Sequence, residues 1–427
     1  MSAGVTVALP PIHERDDDDV SVSNQRIRKA WAEKLLKQAP PPPRPQPPAR
    51  RGRPSLSPSS HNPTVEWHLG LPTEVFHRTV VVAPCYHPRR QYKVLHVFFI
   101  PGNPGTLHFY LAFLDLLAHT LAAAAPKSLS LAPYAAICVH GCGHAMHHLD
   151  TMTTATAATA TAWYKDGRKQ WQQDVGWGLD QQTHHTAAFI EATMDARALY
   201  EPVGGVYDHA LMFIGHSIGA YIGLQLLQKS QALRSRCQHV LLLMPFIGWS
   251  RLAAAHRAKL MAFVRFHPVS QRVAEVLARP LVRLPRSVKR SLVALTTGHA
   301  DDIVTAVADG LACDRVVTNF LTMGVEEVRD VRAHEEHIAI FLGELDRQRD
   351  MDVFLCYTND DVWAPLDDAD AFARSLTAGG TTVRVEPGLT HAFSLTHVNT
   401  RRMVAIIEDH FVQGRERRRH GVIRSRL

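Results

Sequence analysis

Apolar runs alternate with segments of helical spacing along most of the chain after residue 63. The runs YKVLHVFFI, HALMFIGH, HVLLLMPF and DVFLCY are rich in Val, Leu, Ile and Phe, which is typical of buried strands. Between such runs lie segments with apolar residues at helical spacing, including FYLAFLDLLAHTLAAAA and IGAYIGLQLLQKS. Strands that alternate with helices indicate an α/β fold, in which helices cover both faces of a mostly parallel central sheet.

A long helical segment interrupts this alternation. Residues 248–345 have helical spacing almost throughout and stand between two predicted strands. A long insert at such a position is typical of a cap over an active site. The sequence therefore predicts a core in two parts, residues 63–247 and 346–414, with a helical cap between them.

The two ends of the chain differ in composition from the core. Residues 1–62 contain PPPPRPQPPARRGRPS, and so much proline favours an extended, disordered tail. Residues 415–427 predict a basic C-terminal tail. Within the first tail, NQRIRKAWAEKLLKQ places Trp31 and other apolar residues on one face of a basic helix, a pattern that favours a lipid surface. A transient helix without a role is the alternative.

Charge and cysteine content limit the binding partners and the compartment that we expect for this protein. The formal net charge is +7, partly from Arg-rich ends, so we expect solvated tails and no nucleic-acid partner. A negatively charged membrane or droplet surface is the second interpretation. The six cysteines form no C-x-x-C pair, which favours reduced thiols in the cytoplasm. We expect neither a targeting segment nor an apolar run long enough to span a membrane.

One pentapeptide carries the clearest chemical signal. Gly215-His216-Ser217-Ile218-Gly219 follows an apolar strand and opens a helix. A G-x-S-x-G sequence in that context is typical of a nucleophile elbow, where small residues flank a tight turn that lifts the serine hydroxyl above the sheet. The alternative is a serine that caps an ordinary helix. The context predicts Ser217 as a nucleophile.

A serine nucleophile needs a base and an acid from later loops. His391 follows the late strand TTVRVEP and is the predicted base, with His397 as the alternative. The preceding strand ends at Asp360 and Asp361, and either carboxylate could hold the imidazole. We favour Asp361, because Val362 and Trp363 follow it and could bury it.

The same chemistry needs two N–H donors for an oxyanion. The first is expected from Ile218, the residue after the nucleophile. The second is expected from the turn IPGNPG after an early strand, with Asn103 preferred and Gly102 possible. A plain Gly/Pro turn is the alternative for this loop.

Other ligand classes have weaker support. His140, Cys142, His144, His147 and His148 could indicate zinc, but their strand-and-glycine context favours a loop near the active site. No Gly-rich phosphate-binding motif is present, so we expect no nucleotide, metal or other cofactor.

Several segments together resemble a known family. FFIPGNPGTLHFYLAFLDLL, HGCGHA, WGLDQQTHHTAAFI, LMFIGHSIGAYIGLQLL, NDDVWAP and LTHAF are similar to the lipid droplet-associated hydrolases of the α/β-hydrolase superfamily. The resemblance extends over roughly residues 93–410, apart from insertions. It implies an α/β-hydrolase fold, with Ser217 as nucleophile, His391 as base and Asp361 as acid. The family motif places a Trp two residues after the Asp, here Trp363, although Val362 replaces its usual proline.

The resemblance also implies a location and a substrate class. It implies a serine hydrolase of a lipid ester at lipid droplets or the cytosolic face of the endoplasmic reticulum, with a role in lipid storage or turnover. The family's cap carries a strongly apolar stretch, whereas residues 260–295 here are amphipathic and basic. Such a segment could bind a phospholipid surface more weakly, or it could be an ordinary cap helix. A droplet-surface protein with little or no catalytic activity is the alternative function.

Overall fold

The computed structural model describes residues 64–68, 71–82, 91–125, 134–144, 178–197, 206–297, 304–305, 308, 314–348, 351–376 and 381–420. The predicted tail 1–62 with its Trp31 helix lies outside the described residues, as do His147 and His148.

The centre of the molecule is one eight-stranded sheet. Its strands run in the spatial order β1-β2-β4-β3-β5-β6-β7-β8, in which the pairings β1–β2 and β2–β4 are antiparallel and the pairings from β4–β3 to β7–β8 are parallel. The strands are β1 (Thr64–His68), β2 (Leu71–Val81), β3 (Gln91–Ile100), β4 (Tyr134–Cys142), β5 (Val206–His216), β6 (Cys237–Leu243), β7 (Asp352–Tyr357) and β8 (Thr381–Val385). This order and these directions are those of the α/β-hydrolase fold, which confirms the predicted fold class.

Helices connect the parallel strands. They are α1 (Leu111–Ala124), α2 (Leu179–Asp195), α3 (Ile218–Lys229), α4 (Gln231–Arg236), α5 (Ala254–Arg283), α6 (Arg286–Thr297), α7 (Asp314–Arg347), α8 (Leu366–Ser375) and α9 (His397–His420). In the core, α1 packs with α9 and α2 packs with α3. Large side chains between these helices and the sheet are fully buried, among them Phe98, Phe113, Phe213, Phe354 and Phe411.

Among the residues that the structure describes, one helical segment is long and apolar enough to cross a membrane, contrary to expectation. It is Leu107–Ala124, which combines a short 3₁₀ turn with α1. Half of this segment is buried, and α1 packs against β2, β4 and α9. Its Asp115 forms an ion pair with Arg78 of β2. The high apolar content therefore serves the interface between α1 and the sheet, because a helix layer must bury its inner face.

The predicted cap corresponds to the helical segment between β6 and β7. Helices α5, α6 and α7 all lie there, and α7 packs against α5 and also contacts α2 and α3 of the core. The C-terminal part of α7 is well buried, with Val331, Phe341 and Leu342 inside the main core. The cap is thus continuous with the core along α7.

Three features differ from the sequence expectations. The sequence patterns did not separate β1 or the short α4 from their surroundings. The last helix extends to His420, so it continues into the predicted basic tail. Arg, Glu and Gln are good helix formers, and they are enough to continue a helix that the core has already started.

Candidate active site

Ser217 stands at the sharp turn between β5 and α3. Its φ of 54° lies in a region that non-glycine residues seldom adopt. A Cβ atom on Gly219 would lie 2.2 Å from the main-chain oxygen of Ile100, and one on Gly215 would lie 2.6 Å from the Cα of Ala220. The tight turn therefore requires glycine at both positions, as the sequence motif predicts.

Hydrogen bonds join Ser217, His391 and Asp361. The Oγ atom of Ser217 lies 2.9 Å from Nε2 of His391. The other ring nitrogen of His391, Nδ1, lies 2.6 Å from Oδ2 of Asp361. The structure thus brings together three side chains that are far apart in the sequence, in the geometry of a nucleophile, a base and an orienting acid.

Asp361 is held on both of its oxygens. Its side chain is inaccessible to solvent, and Oδ1 accepts hydrogen bonds from the main-chain N–H groups of Trp363 at 2.8 Å and Ala364 at 3.1 Å. Asp360, the alternative acid, is exposed. Of the two residues expected to bury the acid, Val362 is 58% exposed and Trp363 is half-buried. The turn folds back onto the carboxylate through its own amides instead.

The loop of His391 is anchored to the sheet just before the histidine. The hydroxyl of Thr358, at the end of β7, donates a hydrogen bond of 2.7 Å to the main-chain oxygen of Leu389. The alternative base, His397, is the first residue of α9. The side chain of His391 is 25% exposed, so solvent reaches part of the ring.

The predicted oxyanion donors lie on either side of Ser217. Ile218 is the first residue of α3, a position whose N–H has no acceptor within its own helix. A Cβ atom on Gly102 would lie 2.9 Å from the Cβ of Ser217, so the early turn lies directly against the elbow. The N–H of Gly102 points to the hydroxyl of Tyr110 at 3.3 Å, and the side-chain amide of Asn103 donates to the main-chain oxygen of Phe320 at 2.9 Å. The main-chain N–H of Asn103 therefore stays the candidate for the second donor.

A buried carboxylate that the sequence patterns did not reveal fixes the far end of this turn. Glu74 of β2 accepts hydrogen bonds from the N–H of Leu107 at 2.6 Å and from the hydroxyl of Thr106, and it pairs with His108. Burial alone would raise the pKa of Glu74, but these partners outweigh it and leave the pKa lowered. No local pattern singled out Glu74, because its strand also contains the polar residues Thr73, His77, Arg78 and Thr79.

His216 connects the base to the oxyanion turn. Its Nε2 donates to the main-chain oxygen of His391 at 2.9 Å, and its Nδ1 accepts from the hydroxyl of Tyr110 at 2.8 Å. Tyr110 in turn accepts from the N–H of Gly102. Burial, and then the neighbouring His391, hold the pKa of His216 well below its usual range, so the ring is neutral. No local sequence pattern singled out His216 or Tyr110.

The structure describes three of the five residues considered for zinc, namely His140, Cys142 and His144. The ring of His140 in β4 forms two hydrogen bonds, one from Nδ1 to His77 at 2.8 Å and one from Nε2 to His96 at 3.0 Å. Its two nitrogens therefore face different partners. His144 packs beside Gly105, near the oxyanion turn. Among the residues that the structure describes, no group of three or more His, Cys, Asp or Glu side chains is arranged to hold a metal ion.

Comparison with known proteins gives a family match across this site. The family model described as lipid-droplet associated hydrolase matches residues 93–394, a span that includes Ser217, Asp361 and His391. A Gallus gallus protein named lipid droplet-associated hydrolase is 27% identical over 322 residues, which cover 73% of this chain and 82% of that protein. A Homo sapiens protein of the same name is 29% identical over 157 residues, and the match covers only 37% of each chain.

A solved structure also matches most of this chain at low sequence identity. A soluble variant of monoglyceride lipase from Saccharomyces cerevisiae, in complex with a substrate analog, is 13% identical. The alignment covers 88% of this chain and 99% of that one, with a TM-score of 0.44.

Proposed function

This chain belongs to the lipid-droplet associated hydrolase family, and on that premise we propose that it is a serine hydrolase that cleaves a lipid ester. The observation that carries the proposal is the hydrogen-bonded series Ser217–His391–Asp361 on a strand-to-helix elbow. A serine hydroxyl becomes a useful nucleophile when an adjacent base accepts its proton, and His391 is within reach to do so.

In the proposed reaction, His391 Nε2 takes the proton of Ser217 Oγ as that oxygen forms a bond to the ester carbonyl carbon. The main-chain N–H groups of Ile218 and Asn103 stabilise the resulting oxyanion. The carbon–oxygen bond to the alcohol then breaks, and His391 gives its proton to the leaving oxygen. A water molecule, deprotonated by His391, releases the acyl group from Ser217 as a carboxylic acid. Asp361 orients His391 and stabilises its charged form throughout.

The cap supports the proposal that the substrate lies at a lipid surface. Large exposed apolar side chains are concentrated on α5 and α6, where Phe266 is 60%, Val276 63% and Leu295 84% exposed. The exposed cations Arg265, Arg283 and Arg286 lie on the same two helices. Apolar side chains mixed with cations are the composition that binds a phospholipid monolayer or membrane face. We therefore propose the surface of a lipid droplet or of the endoplasmic reticulum as the partner of α5 and α6.

A fluorophosphonate probe tests the proposal. Such a probe bonds covalently to a serine that a neighbouring base activates. We expect labelling of the wild-type protein, none of Ser217→Ala, and strongly slowed labelling of His391→Ala. Absence of labelling in the folded wild-type protein would favour the alternative, a droplet-surface protein with little or no catalytic activity.

A further inference from the structure

A buried carboxyl group of the cap faces the turn that carries the second oxyanion donor. Glu327 of α7 is only 5% exposed, and its carboxyl hydrogen-bonds to the side chain of Asn103. The same Asn103 side chain donates to the main-chain oxygen of Phe320, and its Nδ2 would lie 3.8 Å from a Cβ placed on Gly324. Two turns of α7 therefore lie over Asn103.

Two acceptor atoms in this contact are buried without a partner. They are Oε1 of Glu327 and Oδ1 of Asn103, neither of which receives a hydrogen bond from any described residue. Proteins pair nearly all of their buried polar atoms, and an exception needs an explanation. If this contact only held the cap against the turn, both atoms would be expected to have hydrogen-bond partners. Their position suggests a group that arrives with the substrate.

The chemistry of Glu327 limits what that group could be. Burial raises the pKa of Glu327 to about 8, although the bond from Asn103 opposes the shift. The group is therefore mostly a neutral carboxylic acid near pH 7, which offers both a donor and an acceptor. A hydroxyl group has the same pair of functions and complements it, whereas an alkyl chain complements neither.

The position of the pair relative to Ser217 places this group beside the reacting ester. Gly102 lies against Ser217, because a Cβ atom placed on the glycine would be only 2.9 Å from the Cβ of Ser217. Asn103 follows Gly102 in the chain, with a Cα about 3.8 Å farther on. An ester carbonyl between Ser217 and the oxyanion donors would therefore have its nearest substituents close to Asn103.

We propose that Glu327 and Asn103 bind a free hydroxyl group of the substrate close to the scissile ester, which makes a hydroxyl-bearing ester, such as a partially esterified polyol, the preferred substrate class. The assignment rests on the proposed serine hydrolase function. It makes Glu327 a specificity-determining residue, because a fully esterified lipid would leave its buried carboxyl unpaired against alkyl groups.

The test compares two soluble esters that differ in their hydroxyl groups, glycerol monobutyrate and propyl butyrate. We expect the wild-type protein to have the higher kcat/KM on glycerol monobutyrate. Glu327→Met should lower that value by about tenfold and change the value for propyl butyrate by less than about twofold, since one hydrogen bond is removed and the size is kept. Glu327→Gln, which keeps a donor and an acceptor, should restore most of the preference. Glu336→Gln, an exposed position on the same helix, should change neither value.

The possible results separate this assignment from the function on which it rests. Equal kcat/KM values for the two esters in the wild-type protein would overturn the assignment, whether or not the variants fold. Equal losses on both esters in Glu327→Met, without rescue by Glu327→Gln, would also overturn it and leave Glu327 with a structural role. Failure to cleave either ester, together with absent fluorophosphonate labelling, would overturn the proposed hydrolase and this assignment with it.

Discussion

The Nε2 atom of His216 lies 2.9 Å from the main-chain oxygen of His391, so the residue before the elbow serine holds the backbone of the proposed base. Through Tyr110, the same ring is linked to the N–H of Gly102 in the oxyanion turn. All three parts of the proposed machinery, namely the nucleophile, the base and the oxyanion turn, therefore meet at one buried, neutral imidazole.

Replacement of His216 should mainly lower kcat. In His216→Phe the main-chain oxygen of His391 and the hydroxyl of Tyr110 lose their partner, so the base loop and the oxyanion turn are less well fixed. We expect kcat to fall by about 10- to 100-fold with KM nearly unchanged, since small misplacements are costly in the transition state. Steady-state kinetics on a soluble ester measures both constants.

The matched variant for this prediction is Tyr110→Phe. It removes one hydrogen bond of the same network and leaves the bond between His216 and His391, so its effect on kcat should be smaller. Wild-type kcat in folded His216→Phe would show that the network has no positioning role.

The two neighbouring aspartates should differ sharply. Asp361→Asn removes the acceptor for His391 Nδ1 and should lower kcat by on the order of 10³- to 10⁴-fold, since loss of the orienting acid has that effect in other serine hydrolases. Asp360→Asn changes an exposed side chain and should keep kcat within about twofold. A larger loss in Asp360→Asn than in Asp361→Asn would reverse the assignment of the acid.

A row of buried histidines should make the fold sensitive to acid. His96 lies between His140 and His209, with nitrogen distances of 3.0 and 2.9 Å. Burial, followed by the charges of His209 and Arg197, lowers the pKa of His96 to about 3, and burial lowers that of His77 to about 4. A histidine in the unfolded chain takes up its proton near pH 6.5, at about the value of free histidine.

The sign of the effect follows from these lowered pKa values. Above pH 6.5 these histidines are neutral in both the folded and the unfolded state, so they do not oppose folding. As the pH falls towards 4, only the unfolded chain takes up their protons, and the free energy of unfolding decreases by up to about 1.4 kcal/mol per pH unit for each such histidine. Urea unfolding at several pH values in this window measures the slope of the unfolding free energy. His96→Gln removes one titrating group and should have a shallower slope than the wild-type protein. Identical slopes would show that His96 is already protonated in the folded state or does not contribute.

Attachment to a lipid surface should depend on one face of α6. Val288, Leu292 and Leu295 are spaced to share a helical face and are 41%, 40% and 84% exposed. Changing all three to Ser should weaken flotation with phospholipid-coated droplets by about tenfold or more, because their apolar area no longer enters the lipid. Hydrolysis of a soluble ester should not change.

Two controls separate this surface from other attachments. Ile340→Ser replaces a 55% exposed apolar residue of α7 and should leave flotation unchanged. Removal of residues 1–60 tests the predicted Trp31 helix, and neutralising the exposed arginines of α5 and α6 tests their charge. Droplet binding that survives all of these changes would contradict both surface proposals.

The sequence was most informative where one local pattern determines a structure. The period of the hydrophobic residues and the residue types predicted the parallel strands and their helices. The glycine spacing around Ser217 predicted the elbow, because a tight turn admits few residue types. The chain order of serine, acid and histidine then limited the acid to Asp360 or Asp361 and the base to His391 or His397. These choices depended on topology, which alternating strands and helices largely determine.

The remaining site residues depend on contacts that no local pattern reports. Glu74 reaches the oxyanion turn from a distant strand, and Glu327 reaches it from the cap. His216 occupies a variable position of the elbow motif, and its role follows from where the loop of His391 passes. Such polar pairs form between segments far apart in sequence, so their partners become identifiable only in three dimensions.

The most direct measurement of the central claim is the detection of an acyl group on Ser217. A p-nitrophenyl butyrate reaction with the wild-type protein, quenched in acid and analysed by peptide mass spectrometry, should show a butyryl group on the peptide that carries Ser217. Asp361→Asn should form the same adduct more slowly, and Ser217→Ala should lose activity by on the order of 10⁶-fold. A butyryl group found on another residue, or undiminished turnover by Ser217→Ala, would contradict the account.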